Sequence, residues 1–188
     1  MAIIGILAEG QKESIRKSLE QEIKRLGASI ETVFVENERE FASLDALVLP
    51  RGKSMRFSEI MHNTRLGRAI AKFSKTKPLL VICGSLIPCV KRLGKGCEGR
   101  KTIGIIDAKA DNCCLDGNIQ VILSNGRECI GNFTDAPILY GLGKKVEKLA
   151  EAKGKIVAVR GGNAFGFSFM DRTGVSYTPF LMAVIESI

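Results

Sequence analysis

Histidine is almost absent: the 188-residue chain has one, His62, so any chemistry that needs an imidazole base rests on that residue or does without. His62 falls inside a stretch that reads as helix, where a surface or interhelical role suits it better than catalysis. Long apolar runs are also missing. None approaches the roughly 18 residues that a membrane-spanning helix needs. A secretion signal is not expected, because the apolar stretch Met1 to Ala8 is short and lacks a basic start. The six cysteines show no metal-type spacing, and Cys113 and Cys114 are adjacent, so reduced thiols in a cytoplasmic setting are expected, with no metal and no cofactor. Acidic residues are outnumbered 20 to 28, for a net charge of +8. The Lys and Arg are spread along the chain, often beside Glu, without aromatic interleaving or a nucleic-acid motif. That pattern reads as a solvated basic surface or a face for an acidic protein partner rather than as a nucleic-acid site.

What is present is a globular composition, 45% apolar and 26% charged, of a length that suits one domain over residues 1–188. Ala2–Ala8 reads as a strand, and Gln11–Leu26 as an amphipathic helix with Ile15, Leu19, Ile23 and Leu26 on one face and Gly27 as its stop. Ser29–Val35 and Leu44–Leu49 read as strands, and Arg51-Gly52-Lys53-Ser54 as a turn into a helix reaching about Ser74. Pro78–Ile82 is a buried strand that stops at Cys83, with an apolar segment at helical spacing beyond it. Strand, sharp turn and helix with a cysteine at the corner describe a nucleophile elbow; a core cysteine at a strand end is the alternative. The order βαβ-βαβ implies a parallel sheet with right-handed crossovers and ligands at the strands' carboxyl ends. Beyond Arg92 the texture changes to glycine-marked loop and short strands at Thr102–Asp107, Asn118–Leu123, Glu128–Phe133, Lys155–Arg160 and Ala164–Phe169. Asp116-Gly117 and Asn125-Gly126 are the hairpin signals, and Pro179–Ile188 is a closing helix.

Taken together, a set of short segments resembles the class I glutamine amidotransferases, and most closely the family of pyridoxal 5′-phosphate synthase glutaminase subunits. The segments are Ile4-Gly5-Ile6-Leu7-Ala8, Leu47-Val48-Leu49-Pro50 before the turn ending in Ser54, Cys83 with Leu86-Ile87, Lys91-Arg92-Leu93 and Gly104-Ile105-Ile106-Asp107. Phe133 with Ala136-Pro137, Ile156-Val157-Ala158-Val159-Arg160 and Phe165-Gly166-Phe167-Ser168-Phe169 complete the set. The resemblance implies a flavodoxin-like, three-layer α/β fold with a mostly parallel central sheet and extra antiparallel hairpins in the second half. It implies a protein partner of synthase type, or a second copy of the chain.

It also implies a mechanism: a Cys nucleophile, a His base and a Glu that orients the His release ammonia from glutamine. Cys83 stands on the nucleophile's position. The family's Ser-Phe-His-Pro-Glu stretch corresponds to Ser168-Phe169-Met170-Asp171-Arg172, so Met170 takes the base's place and Arg172 the orienting carboxylate's. The family's Gly-Gly-Glu-Ser turn reads Arg51-Gly52-Lys53-Ser54, Ser85 stands in place of a glycine, and two substrate arginines fall on Asp111 and Asp135. The expectation is a non-catalytic binding or regulatory subunit. The alternatives are a working glutaminase subunit supplying ammonia for pyridoxal 5′-phosphate synthesis, or a Cys-centred activity like that of DJ-1/PfpI-like proteins, with Glu9 or Glu13 beside the thiol. Lys53, Arg51 and a helix N-terminus are expected to favour the Cys83 thiolate, and Lys53 is expected to pair with Asp111 or Asp135 across the old pocket.

Overall fold

The computed structural model describes residues 1–112, 115–134 and 136–187. Strand β1 (Ala2–Leu7) leads into helix α1 (Lys12–Leu26), which stops at Gly27 in the left-handed conformation, as the periodicity and the glycine predict. Strand β2 (Ile30–Val35) is followed by a 3-10 turn at Glu38–Ser43, with Asn37 and Glu40 forming a reciprocal capping box, and by β3 (Ala46–Leu49). The single helix expected to reach about Ser74 is two helices, α2 (Ser54–Met61) and α3 (Arg65–Phe73). Asn63 at φ +57 breaks them, and the Thr64 hydroxyl restarts the second by accepting from Gly67 N at 2.9 Å. Strand β4 (Leu79–Ile82) ends at Cys83, but an α-helix does not follow: Cys83–Cys89 is 3-10 turn and gives way to β5 (Val90–Leu93).

The second half is richer in strand than its sequence suggests. It comprises β6 (Ile106–Asn112), β7 (Gly117–Leu123), β8 (Glu128–Phe133), β9 (Pro137–Tyr140), β10 (Val146–Ala152), β11 (Lys155–Gly161), β12 (Ala164–Phe167) and β13 (Met170–Asp171), before helix α4 (Thr178–Glu186). The Asn125-Gly126 turn joins the antiparallel pair β7–β8 as expected. Asp116-Gly117 does not close a hairpin, since β6 pairs with β5 and β9 rather than β7. The other tight hairpin, β10–β11, turns at Lys153-Gly154, both residues at positive φ.

All strands join one sheet. Its core is the parallel run β12-β4-β3-β1-β2, flanked beyond β12 by the antiparallel strands β11, β10, β7, β8 and β13. Strands β3 and β4 read as unbroken apolar runs because both of their faces are covered. Ala46, Val48, Leu80 and Ile82 pack with Ile15, Leu19 and Ile23 of α1 and Phe180, Leu181 and Val184 of α4. Leu47, Leu49, Leu79 and Val81 pack with Phe57 and Met61 of α2 and Ile70 and Phe73 of α3. Helices on both faces of a parallel core make three layers and leave the carboxyl ends of β1, β3, β4 and β12 at one edge. Among the described residues, no helix is long and apolar enough to cross a membrane.

Candidate functional site

Four segments leave that edge side by side: Ala8–Gln11 after β1, Pro50–Lys53 after β3, Cys83 after β4 and Ser168–Arg172 after β12. Cys83 takes φ +55, an uncommon conformation for a residue with a Cβ and the one a sharp strand-to-turn elbow requires. The elbow's backbone is therefore present. Its side chain is not open to solvent: Cys83 is 0% exposed and packs in a cluster with Phe133, Phe167, Phe169, Met170 and Tyr177. No α-helix begins at the elbow, so the expected helix N-terminus at the thiol is not what forms. Lys53 is exposed and the turn after Cys83 is a seven-residue 3-10 segment.

Ser85 shows why the turn is tight. Its buried hydroxyl accepts from Ile82 N at 3.1 Å and lies 2.8 Å from Ile82 O and 3.1 Å from Leu49 O, tying the ends of β3 and β4 together. Asp171 is fully buried and closes the chain into α4. Its Oδ1 accepts from Thr173 N and Oγ1, its Oδ2 from Ser176 N, and its own N–H donates to Tyr177 Oη at 2.9 Å. Burial pushes the Tyr177 phenol well above its ordinary range; the hydrogen bond from Asp171 N–H opposes this, and nearby Asp171, Cys83 and Cys129 reinforce it. The Cys129 thiol is pushed up to about 12 by burial and by Asp171.

Arg51 is positioned by backbone contact and by amides. Gly10, at φ +56, lets the β1–α1 loop touch the Arg51 turn; a Cβ there would lie 2.1 Å from Arg51 O, which accepts from Gln11 N at 2.8 Å. Arg51 Nη1 donates to Asn132 Oδ1 at 2.6 Å, and Asn132 Nδ2 donates to Asn118 Oδ1 at 2.9 Å, so two strands of the antiparallel wing orient the guanidinium. A cleft of about 800 Å³ opens between α1 and this assembly, lined by Arg51, Asn132, Met170 and Arg172 together with Gly10–Ser14, Lys17, Ser18 and Gln21. Met170, only 5% exposed, belongs to both the cleft wall and the buried cluster that includes Cys83.

The remaining residues singled out in the sequence disperse. Gly52 backs onto the Phe57 ring. Ser54 is buried and accepts from Arg100 Nε at 2.8 Å. Lys53 makes no ion pair among the described residues, so the expected pairing with Asp111 is not formed. Asp111 lies on β6, against Gly94 and near Tyr140 and Lys109, beside a different cavity. Asp135 lies outside the described residues. Glu9 pairs with Arg56 at 3.3 Å, while Glu13 lines the cleft. His62 caps the end of α2, its Nε2 3.0 Å from Asn63 Nδ2. Asn132, Lys17 and the Asp171–Tyr177 pair carry no signal in the sequence; they come from elements far apart in the chain that only the fold brings together.

An open parallel sheet with helices on both faces, an antiparallel wing and a cysteine at a positive-φ elbow after the central strand define the flavodoxin-like fold of class I glutamine amidotransferases. The SNO glutamine amidotransferase family matches residues 10–174, and the chain belongs to that family. It is similar to the pyridoxal 5′-phosphate synthase subunit PdxT of Streptomyces avermitilis, 31% identical over 143 residues covering 72% of this chain and 71% of that one. It is likewise similar to the subunit of the same name from Archaeoglobus fulgidus, 28% identical over 179 residues covering 90% and 88%. Among solved structures, a glutamine amidotransferase superposes with a TM-score of 0.77 at 24% identity, over 98% of this chain and 97% of that one. A glutamine amidotransferase from Thermotoga maritima gives 0.59 at 10% identity, over 90% and 75%. These two likenesses are of fold.

Proposed function

We propose that this chain is a non-catalytic member of its family, a binding or regulatory subunit that keeps the amidotransferase fold without glutaminase turnover. The observation that carries the proposal is the complete burial of Cys83, in a chain whose one imidazole is engaged at the end of α2. Amide hydrolysis by a thiol needs a thiolate that the substrate can reach, a base that takes and returns a proton, and a group that orients the base. A thioether at Met170 accepts no proton near neutral pH, and the Arg172 guanidinium cannot orient an imidazole as a carboxylate does. Relatives named as pyridoxal 5′-phosphate synthase subunits support a synthase-type protein, or another copy of this chain, as the partner of this one-domain, cytoplasmic subunit.

The test is ammonia release from L-glutamine by the purified chain, alone and with a synthase-type partner. Background release, unchanged in Cys83→Ala, is the expected result. Turnover abolished by Cys83→Ala overturns the proposal.

A further inference from the structure

We infer that the cleft beside α1 is a receptor for a compact anion bearing a phosphate or paired carboxylates, gripped by Arg51 and Arg172 with Lys17 at its rim. Three cations line this one concavity, and none has a carboxylate within ion-pair distance among the described residues. A fourth, Lys12, sits over the Phe34 ring at 5.0 Å, and among the described residues Glu13 is the one carboxylate in the lining. Among the described residues, positive charge in the cleft is therefore in excess.

The state of Arg51 gives that excess a direction. A guanidinium that serves only as a surface charge is mobile and solvated; Arg51 is half-buried and fixed by a 2.6 Å bond to a neutral amide. Asn132 uses one of the donor arms and neutralises nothing, and Asn118 fixes Asn132 in turn. The remaining donors of a planar fork match the spacing of carboxylate or phosphate oxygens. Arg172, exposed and one residue past the short strand β13, stands on the same wall. Helix α1 opens onto the cleft without a side-chain cap, and its dipole adds to the positive potential. The Ser14 hydroxyl and the Gln11 and Gln21 amides supply neutral polar partners around the cations. Neutral, zwitterionic glutamine offers no net charge to this arrangement.

The inference rests on the reading that this cleft binds rather than catalyses, and its test reads heat rather than turnover. Isothermal titration calorimetry is run with inorganic phosphate, with succinate and with L-glutamine, each against sodium chloride at matched ionic strength. Saturable binding of phosphate or of succinate is expected, and the one that binds identifies the source of the anion. Binding is expected to weaken about tenfold or more in Arg51→Gln and in Arg172→Gln, the scale of one charge-assisted hydrogen bond. The control Lys91→Gln, a residue paired with Asp107 away from the cleft, is expected to bind as the unmodified chain does. Thermal melts establish that each variant is folded; the exposed Arg172 carries the test if Arg51→Gln is not. Absence of binding above the chloride background, tighter binding of glutamine than of either anion, or binding that survives loss of the arginines overturns the inference. Failure here with background ammonia release leaves the proposed function standing. Glutamine turnover with intact anion binding removes that function and leaves this site.

Discussion

Replacing Ser85 with Ala removes one oxygen from the floor of the elbow, and the cost follows from its contacts. The hydroxyl accepts from Ile82 N at 3.1 Å and gives its proton to Ile82 O at 2.8 Å or Leu49 O at 3.1 Å. It is 0% exposed, so water does not replace it. A net hydrogen bond contributes about 1 kcal/mol, and orphaned buried backbone groups raise the cost to about 2 kcal/mol, within a range of roughly 1–3. For a chain of this length that lowers the melting temperature by about 4–8 °C. Ser85→Gly removes the same oxygen and frees the backbone, so it costs at least as much. Urea unfolding followed by circular dichroism, with the slope unchanged, reads the difference. A loss below about 0.5 kcal/mol in both variants would refute the claim that this hydroxyl ties β3 to β4.

Two further effects follow from buried contacts elsewhere. Burial opposes the charge on Glu22, yet hydrogen bonds from Arg25 and Thr178 outweigh it and hold the carboxyl below its usual range. A depressed folded value stabilises the fold above the ordinary carboxyl range near 4.3 and loses that contribution as pH falls through the folded value. Glu22→Gln is therefore expected to cost about 1–2 kcal/mol at pH 7 and progressively less below about pH 4 in urea melts; a pH-independent gap contradicts this. Gly67→Ala would gain about 1 kcal/mol in an ordinary helix. Here a Cβ would lie 1.7 Å from Met61 O, so a net loss of about 1–3 kcal/mol is expected in thermal melts, and a gain refutes the packing of α2 on α3.

The parts of the fold legible in the sequence were those fixed by local pattern. Strands β1, β3 and β4 are short apolar runs because both faces of the parallel core are buried, and Gly27 and Gly126 carry backbone conformations that few other residues take. The elbow cysteine was legible for the same reason. The helix expected after it was not formed, since Pro88 lacks the N–H needed to continue an α-helical ladder and Ser85 bonds back to the strand ends. Strand β10, Val-Glu-Lys-Leu-Ala-Glu-Ala, is built largely of good helix formers; pairing with β7 and β11 overrides that preference. Charge pairing was the least legible. Lys53 turns to solvent and Asp111 lies across the sheet beside Tyr140, whereas Arg51 finds Asn132, 81 residues away, through a strand register that only the assembled wing supplies.

The enclosure of Cys83 is tested most directly by cysteine labelling of the native chain with a glutamine-mimicking electrophile, read by peptide mass spectrometry. In the unmodified chain Cys83 is expected to stay unlabelled until denaturant is added. Met170→Ala, which thins the wall shared by the cleft and the Cys83 cluster, is expected to make it label under native conditions, with a stability loss of about 2–5 kcal/mol from the deleted side chain. Rapid, glutamine-protectable labelling of Cys83 in the unmodified native chain would contradict the account.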